Sequence, residues 1–130
     1  GTRKLVEDES FLSWLREAGA HAPWTASVCT GSAVLAAAGL LEGYAATSNK
    51  RAFSWATSFG GDVSWRPEAR WVHDRNRWTS SGVAAGMDMA VALIAHLTSE
   101  VVAIDAVNFV EYEPHRDSGW DPFARINGLV

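Results

Sequence analysis

The chain has 130 residues, 48% of them hydrophobic, and a formal net charge of −4, which suits one domain with one core. Eleven Lys and Arg stand against fifteen Asp and Glu, with no basic run, so the electrostatic footprint of a nucleic-acid binder is excluded. A single cysteine excludes an intrachain disulfide framework and fits a reducing, cytoplasmic setting.

Asp8 or Ser10 can cap a first helix through about Ala18, with Phe11, Leu12, Trp14 and Leu15 on its apolar face and Gly19 as its stop. Pro23 breaks the chain before a strand over Thr25 to Val28. A helix from about Gly31 to Ala38 ends at Gly39, and Gly43 marks the next turn. Tyr44 to Ser48 reads as a short strand, and Arg51 to Ser58 as a helix closed by Gly60-Gly61. Val63 to Trp65 and Arg70 to His73 are strand-like, and Asp74-Arg75-Asn76-Arg77 forms a tight turn into Trp78-Thr79-Ser80, which predicts a hairpin. The longest helix begins near Gly82 or Val83 and runs to about Leu97, followed by a helix from about Glu100 to Val110. After Pro114 the tail reads as mostly irregular. Strands alternating with helices indicate an α/β domain with a mostly parallel sheet. No secretory leader is recognisable. The longest apolar stretch, Val101 to Val110, is broken by Asp105 and Asn108 and is too short to span a bilayer.

Cys29 lies in the string Ala26-Ser27-Val28-Cys29-Thr30-Gly31-Ser32, where a β-prone run meets a small-residue turn and then a strong helix former. A thiol at such a strand-to-helix junction projects beside unpaired helix N–H groups. That field favours thiolate and can lower its pKa below the free value of about 8.5. The residues alone leave a second reading open, a buried structural cysteine.

The string Ser27-Val28-Cys29-Thr30-Gly31-Ser32, with Leu35-Ala36-Ala37-Ala38-Gly39-Leu40-Leu41 and Ala46-Thr47-Ser48, resembles the ThiJ/PfpI superfamily, one of the class I glutamine-amidotransferase-like folds. Trp78-Thr79-Ser80-Ser81-Gly82-Val83-Ala84-Ala85-Gly86-Met87-Asp88 resembles a second segment of the same proteins. Glu111-Tyr112-Glu113-Pro114 with Asp121-Pro122-Phe123 resembles the tail of the isocyanide (isonitrile) hydratase branch. The resemblance implies a flavodoxin-like three-layer α/β/α sandwich, usually dimeric, with a reactive cysteine at a nucleophile elbow, onto which Cys29 maps.

Many relatives carry His directly after that cysteine. Thr30 stands here instead, which weakens a Cys–His dyad and points to the hydratase branch or to the similar domain of some transcription regulators. Intact relatives begin with further strands and helices, including a carboxylate that hydrogen-bonds to the cysteine, and Gly1-Thr2 match the end of a Gly-Gly-x-Gly-Thr turn. By this resemblance residues 1–130 are the C-terminal part of a single domain lacking its N-terminal strands. A separate or cleaved N-terminal segment would complete it, and the completed domain would form a homodimer. Gly1, Thr2, Ser81 and Gly82 are expected at the substrate, and Cys29 and Thr30 at the chemistry.

The remaining candidates are weaker. His73 and Asp74 lie at a hairpin end, where His is most simply a surface residue. His21, His96 and His115 are scattered, which disfavours zinc. Asp88, on the long apolar helix, reads as a capped or paired structural acid. Thr30 can cap a helix or offer its N–H and hydroxyl to a reacting group. One or two of the tryptophans could line an apolar pocket.

The resemblance implies a cysteine-dependent hydro-lyase that hydrates an isonitrile to an N-substituted formamide through a Cys29 thioimidate, with no metal or organic cofactor. The alternatives are a glyoxalase- or deglycase-like enzyme on small aldehydes and a non-enzymatic redox- or ligand-sensing domain.

Overall fold

The computed structural model of the chain describes residues 1–130. Two helices open it, α1 (Thr2–Leu5) and α2 (Glu9–His21). Asp8 caps α2, its carboxylate accepting from the Phe11 N–H at 3.0 Å, which satisfies one of the donors a helix leaves unpaired in its first turn. The helix does not stop at Gly19 but runs on to His21, two residues before Pro23. Gly19 serves packing instead: a Cβ there would stand 2.6 Å from Leu40 Cδ1.

Strand β1 (Thr25–Ser27) leads through the Cys29 turn into α3 (Gly31–Ala37). The strand expected over Tyr44 to Ser48 contracts to β2 (Ala45–Ala46). Side chains take the neighbouring backbone donors: the Ala45 N–H donates to the Asp74 carboxylate at 2.8 Å and the Thr47 N–H to Thr79 Oγ1 at 2.9 Å. The helix expected over Arg51 to Ser58 contracts to α4 (Phe53–Ala56). Asn49 Oδ1 accepts from the Ala52 N–H at 3.0 Å, and the Ser58 hydroxyl donates to the Trp55 carbonyl at 2.7 Å. Such local bonds compete with helix continuation.

Next come β3 (Ser64–Trp65), β4 (Trp71–Asp74) and β5 (Arg77–Ser80), then α5 (Val83–Leu97) and α6 (Glu100–Phe109). The tail is mostly irregular, with one short helix. It forms α7 (Pro122–Ile126), capped by the Asp121 carboxylate and started by Pro122, a pairing that satisfies one N–H and fixes φ for the first turn.

The main sheet has the order β1-β5-β4, and β2 pairs with β3 in a second, two-stranded sheet. The β1–β5 and β2–β3 pairs are parallel, and only the β4–β5 hairpin is antiparallel. Side chains alternate across the main sheet. Ala26, Val28, Trp71, His73, Trp78 and Ser80 share the face toward α5, where Trp71, Trp78 and Met89 form a buried cluster. Thr25, Ser27, Arg77 and Thr79 share the other face. There Arg77 Nε donates to the Leu40 carbonyl at 2.8 Å, beside a cluster of Leu12, Val34, Leu35 and Leu41. Helices therefore cover the sheet from both sides, as in an α/β sandwich. Strand β1 is paired on one edge only.

Arg70, at the entry to β4, is buried between these layers. Its Nε donates to Asp88 Oδ2 at 2.6 Å, its Nη2 lies 2.6 Å from the same oxygen, and its Nη1 lies 3.9 Å from Asp121 Oδ1. Asp88 also accepts from Tyr112 Oη at 2.5 Å and the His115 N–H at 2.8 Å. Asp88 is thus the paired structural acid of α5. A buried guanidinium left without its carboxylate is costly. Asp88→Asn should therefore lower the free energy of unfolding by about 3–5 kcal/mol, read by chemical denaturation.

Candidate active site

Cys29 occupies the turn between β1 and α3 with a φ of 60°. An L-residue adopts this left-handed region at a cost of roughly 1–2 kcal/mol, and such strain persists only where the surroundings fix it. The Cys29 carbonyl accepts from the hydroxyls of Ser32 at 3.3 Å and Ser48 at 3.2 Å. A Cβ at Gly31 would stand 3.3 Å from Ser27 Cβ, so glycine permits the tight exit into α3. On the opposite side Val28 packs on Gly86 of α5, where a Cβ would come within 2.6 Å of Val28 Cγ1. Cys29 is partly exposed.

Thr30 does not cap α3 with its side chain. Its hydroxyl pairs with Thr2 Oγ1 at 2.9 Å, and its backbone N–H has no protein acceptor. The structure thus brings Thr2 to Thr30, one residue from the thiol, while Gly1 lies exposed at the start of α1. Ser27 Oγ and Ser80 Oγ, at the ends of the two strands flanking the turn, are buried without hydrogen-bond partners.

Ser81 and Gly82 lie one strand away, after β5. The Ser81 hydroxyl donates to Asp121 Oδ2 in a very short hydrogen bond, and Gly82 is the N-cap of α5. Both line a cavity of about 320 Å³. Asn49, Lys50 and Arg51 form a second wall, and Asp121, Phe123 and Asn127 of the tail a third. Cys29 is not on its surface, but Ser48, bonded to the Cys29 carbonyl, immediately precedes Asn49.

No tryptophan lines this cavity, whereas Trp71 lines a second one of about 210 Å³. Trp71 and Trp78 are core residues, and Trp24 stacks edge-on against His96. His73 stacks on Trp78 at 3.8 Å and its Nε2 contacts the Arg75 carbonyl at 2.7 Å. It stands two strands from β1, level with Ala26 rather than with Cys29. The structure does not bring His73 to the thiol.

Sequence reading missed Asn49, Lys50, Arg70 and Asp121. Lys50 is almost wholly buried, and Nζ donates to Thr47 Oγ1 at 2.7 Å and to the Ala69 carbonyl at 2.5 Å. Burial pushes its pKa down from 10.5 to about 8, while the carboxylates of Asp121 and Glu68 partly oppose the shift. The one available signal was the adjacent pair Lys50-Arg51 just after a strand and turn. For Tyr112, burial and its bond to the Asp88 carboxylate push the phenol up to about 12.

With this geometry in place, comparison with known proteins is decisive about ancestry. The DJ-1/PfpI family model matches residues 1–96. The chain belongs to the DJ-1/PfpI family. It is 36% identical over 125 residues to the isonitrile hydratase of Pseudomonas putida, covering 92% of this chain and 52% of that protein. Among solved structures, a THiJ/PfpI family protein from Pseudomonas syringae superposes with a TM-score of 0.78 at 40% identity, over 88% of this chain and 46% of that one. DJ-1beta of Drosophila melanogaster gives 0.71 at 20% identity, over 87% and 59%, and shares the fold. The flavodoxin-like α/β class is therefore that of a DJ-1/PfpI member. The chain spans about half the length of these relatives.

Two consequences can be measured. Glycine adopts φ of 60° without a Cβ penalty, so Cys29→Gly should be more stable than Cys29→Ala by about 0.5–1 kcal/mol in denaturant titrations, with the native thiol resembling Ala.

Lys50 governs a second effect. Folded Lys50 releases its proton near pH 8, whereas the unfolded side chain holds it to about 10.5. Between those values the unfolded chain binds more protons, so stability rises with pH. Relative to Lys50→Met, native stability should climb from pH 8 to 10 at up to about 1.4 kcal/mol per pH unit. A flat difference across that range would contradict the assignment.

Proposed function

We propose that this chain carries the nucleophile of a cysteine-dependent hydro-lyase acting on isonitriles. The observation that carries the reading is Cys29 at φ 60° on the β1–α3 turn. The 36% identity to an isonitrile hydratase supports the choice of substrate class.

In the proposed reaction the Cys29 thiolate attacks the terminal carbon of the isonitrile, forming a C–S bond, and that carbon takes up a proton to give a thioimidate. Water adds to the same carbon, the C–S bond breaks, and the thiol is regenerated as the N-substituted formamide leaves. The net change is addition of one water. The Thr30 N–H, which has no protein acceptor, can donate to the adding oxygen. The Thr30 hydroxyl, with Thr2 beside it at 2.9 Å, orients water or substrate. Gly1, Ser81 and Gly82 complete the substrate's surroundings, and neither metal nor organic cofactor takes part.

The proton-shuttling acid of this proposal comes from the N-terminal half of the same fold, supplied as a second chain or a cleaved segment. The half-length match to relatives supports this, as do the open edge of β1 and the exposed Val28 that follows it. The completed domain would pair as a homodimer. No helix is long and apolar enough to cross a membrane.

The test is turnover by the protein in its full-length form. Wild type incubated with an aryl isonitrile should yield the formamide and a transient adduct on Cys29 by mass spectrometry, and Cys29→Ala should lose turnover by at least a thousandfold. Equal turnover in both proteins would sink the nucleophile assignment. Native mass measurement of the same preparation separates the partner question: a single stable, active species of 14.1 kDa would argue against a completing half.

A further inference from the structure

His73 and His96 are far apart in the sequence, yet the fold sets their imidazoles together, away from the Cys29 turn. His73 lies on β4 and His96 in the last turn of α5. Their ring centroids are 4.7 Å apart with the planes at 66°, and both residues are exposed. Two indoles flank the pair. Trp78 stacks on His73 at 3.8 Å, and Trp24 meets His96 edge-on at 4.9 Å.

Hydrogen bonding fixes the state of one ring. His73 Nε2 stands 2.7 Å from the Arg75 carbonyl, which can only accept, so Nε2 carries the proton. In the neutral ring Nδ1 then keeps its lone pair. One ring nitrogen held on a backbone carbonyl is the arrangement that orients a metal-binding imidazole. His96 spends neither nitrogen on the protein; its partners are the rings of Trp24, His73 and Trp78.

The separation fits a shared ion. A metal about 2.05 Å from an imidazole nitrogen lies about 3.2 Å from that ring's centroid. Two such rings have centroids about 5.2 Å apart at a tetrahedral angle and about 4.5 Å apart at a right angle. The observed 4.7 Å lies nearer the right angle, the preference of tetragonal Cu²⁺, which also leads the divalent affinity order on imidazole. The indole faces favour a cation nearby as well. The protein supplies only these two ligands, since no group of three forms in the chain. Asp74, beside His73, is held by Arg75 and the Ala45 N–H.

We propose that His73 and His96 form a two-imidazole binding site for Cu²⁺, with water in the remaining coordination positions. The site does not involve Cys29, so it stands whether or not isonitriles are turned over.

Copper titration of the full-length Cys29→Ala protein tests it, the alanine removing a thiol that would itself take copper. Calorimetry should find a site that weakens tenfold or more in His73→Gln and in His96→Gln. His21→Gln should leave the affinity as it was. His21 also has a ring nitrogen on a carbonyl, that of Glu17 at 2.9 Å, but no second imidazole against it. The electron paramagnetic resonance signal lost in His96→Gln should carry two imidazole nitrogens. His96 is exposed at the end of α5, so that variant keeps its fold. Unchanged affinity in His73→Gln or His96→Gln, an equal loss in His21→Gln, or a lost signal with fewer than two imidazole nitrogens would overturn the proposal.

Discussion

One buried cation organises this structure. Arg70 has its backbone N–H on the Ser118 carbonyl at 2.8 Å, and its carbonyl accepts from the Ser81 N–H at 2.9 Å, while its guanidinium forks onto Asp88 and faces Asp121. A charge in that position is tolerated only if carboxylates are delivered to it. Asp88 comes from α5 and Asp121 from the tail, so neutralising one residue joins the hairpin, the long helix and the last segment of the chain. Asp121 in turn caps α7 and holds Ser81. The turn that starts α5 is therefore fixed from below by the sheet and from the side by the tail.

That arrangement reaches the thiol by contact rather than by charge. With the start of α5 anchored at Ser81, Gly86 lies one turn further along and receives Val28, the residue before Cys29. Two hydroxyls hold the Cys29 carbonyl from the other side, Ser32 of α3 and Ser48 after β2. Three separate elements thus constrain one left-handed residue, the over-determination that strained backbone requires. A residue larger than glycine at position 86 would press on Val28, which is β-branched and cannot readily swing aside.

What was legible in the sequence follows from distance along the chain. The Cys29 turn could be read because a β-prone run, three small residues and an Ala-rich helix are contiguous, and the hairpin because its turn and both arms lie within ten residues. Helix α7 went unread: Asp121-Pro122 is a cap followed by a helix-starting proline, but five residues carry too little periodicity to stand out. Gly19 looked like a stop because glycine is read locally, whereas its role depends on Leu40, twenty-one residues away. The Arg70–Asp88–Asp121 grouping left no trace at all, for partners eighteen and fifty-one residues apart obey no local spacing.

The polar character of the cavity has a topological origin. Strands β1 and β5 are parallel neighbours, so both end at the same edge of the sheet. The chain leaves β1 into α3 on one face and leaves β5 into α5 on the other, as the contacts of Gly31 with Ser27 and of Gly86 with Val28 show. Connections that diverge to opposite faces open a crevice at the carboxyl ends of the strands. In such a crevice helix N-termini point inward with unpaired N–H groups. Cys29 stands at one lip and the Ser81-Gly82 turn at the other. A nucleophile there is set beside backbone donors, and any pocket there is rich in donors whatever side chains surround it. An apolar cage for a hydrophobic substrate would have to be built against that tendency. Asn49, Lys50 and Arg51 instead reinforce it, which makes polarity at this edge a property of the fold that the side chains extend.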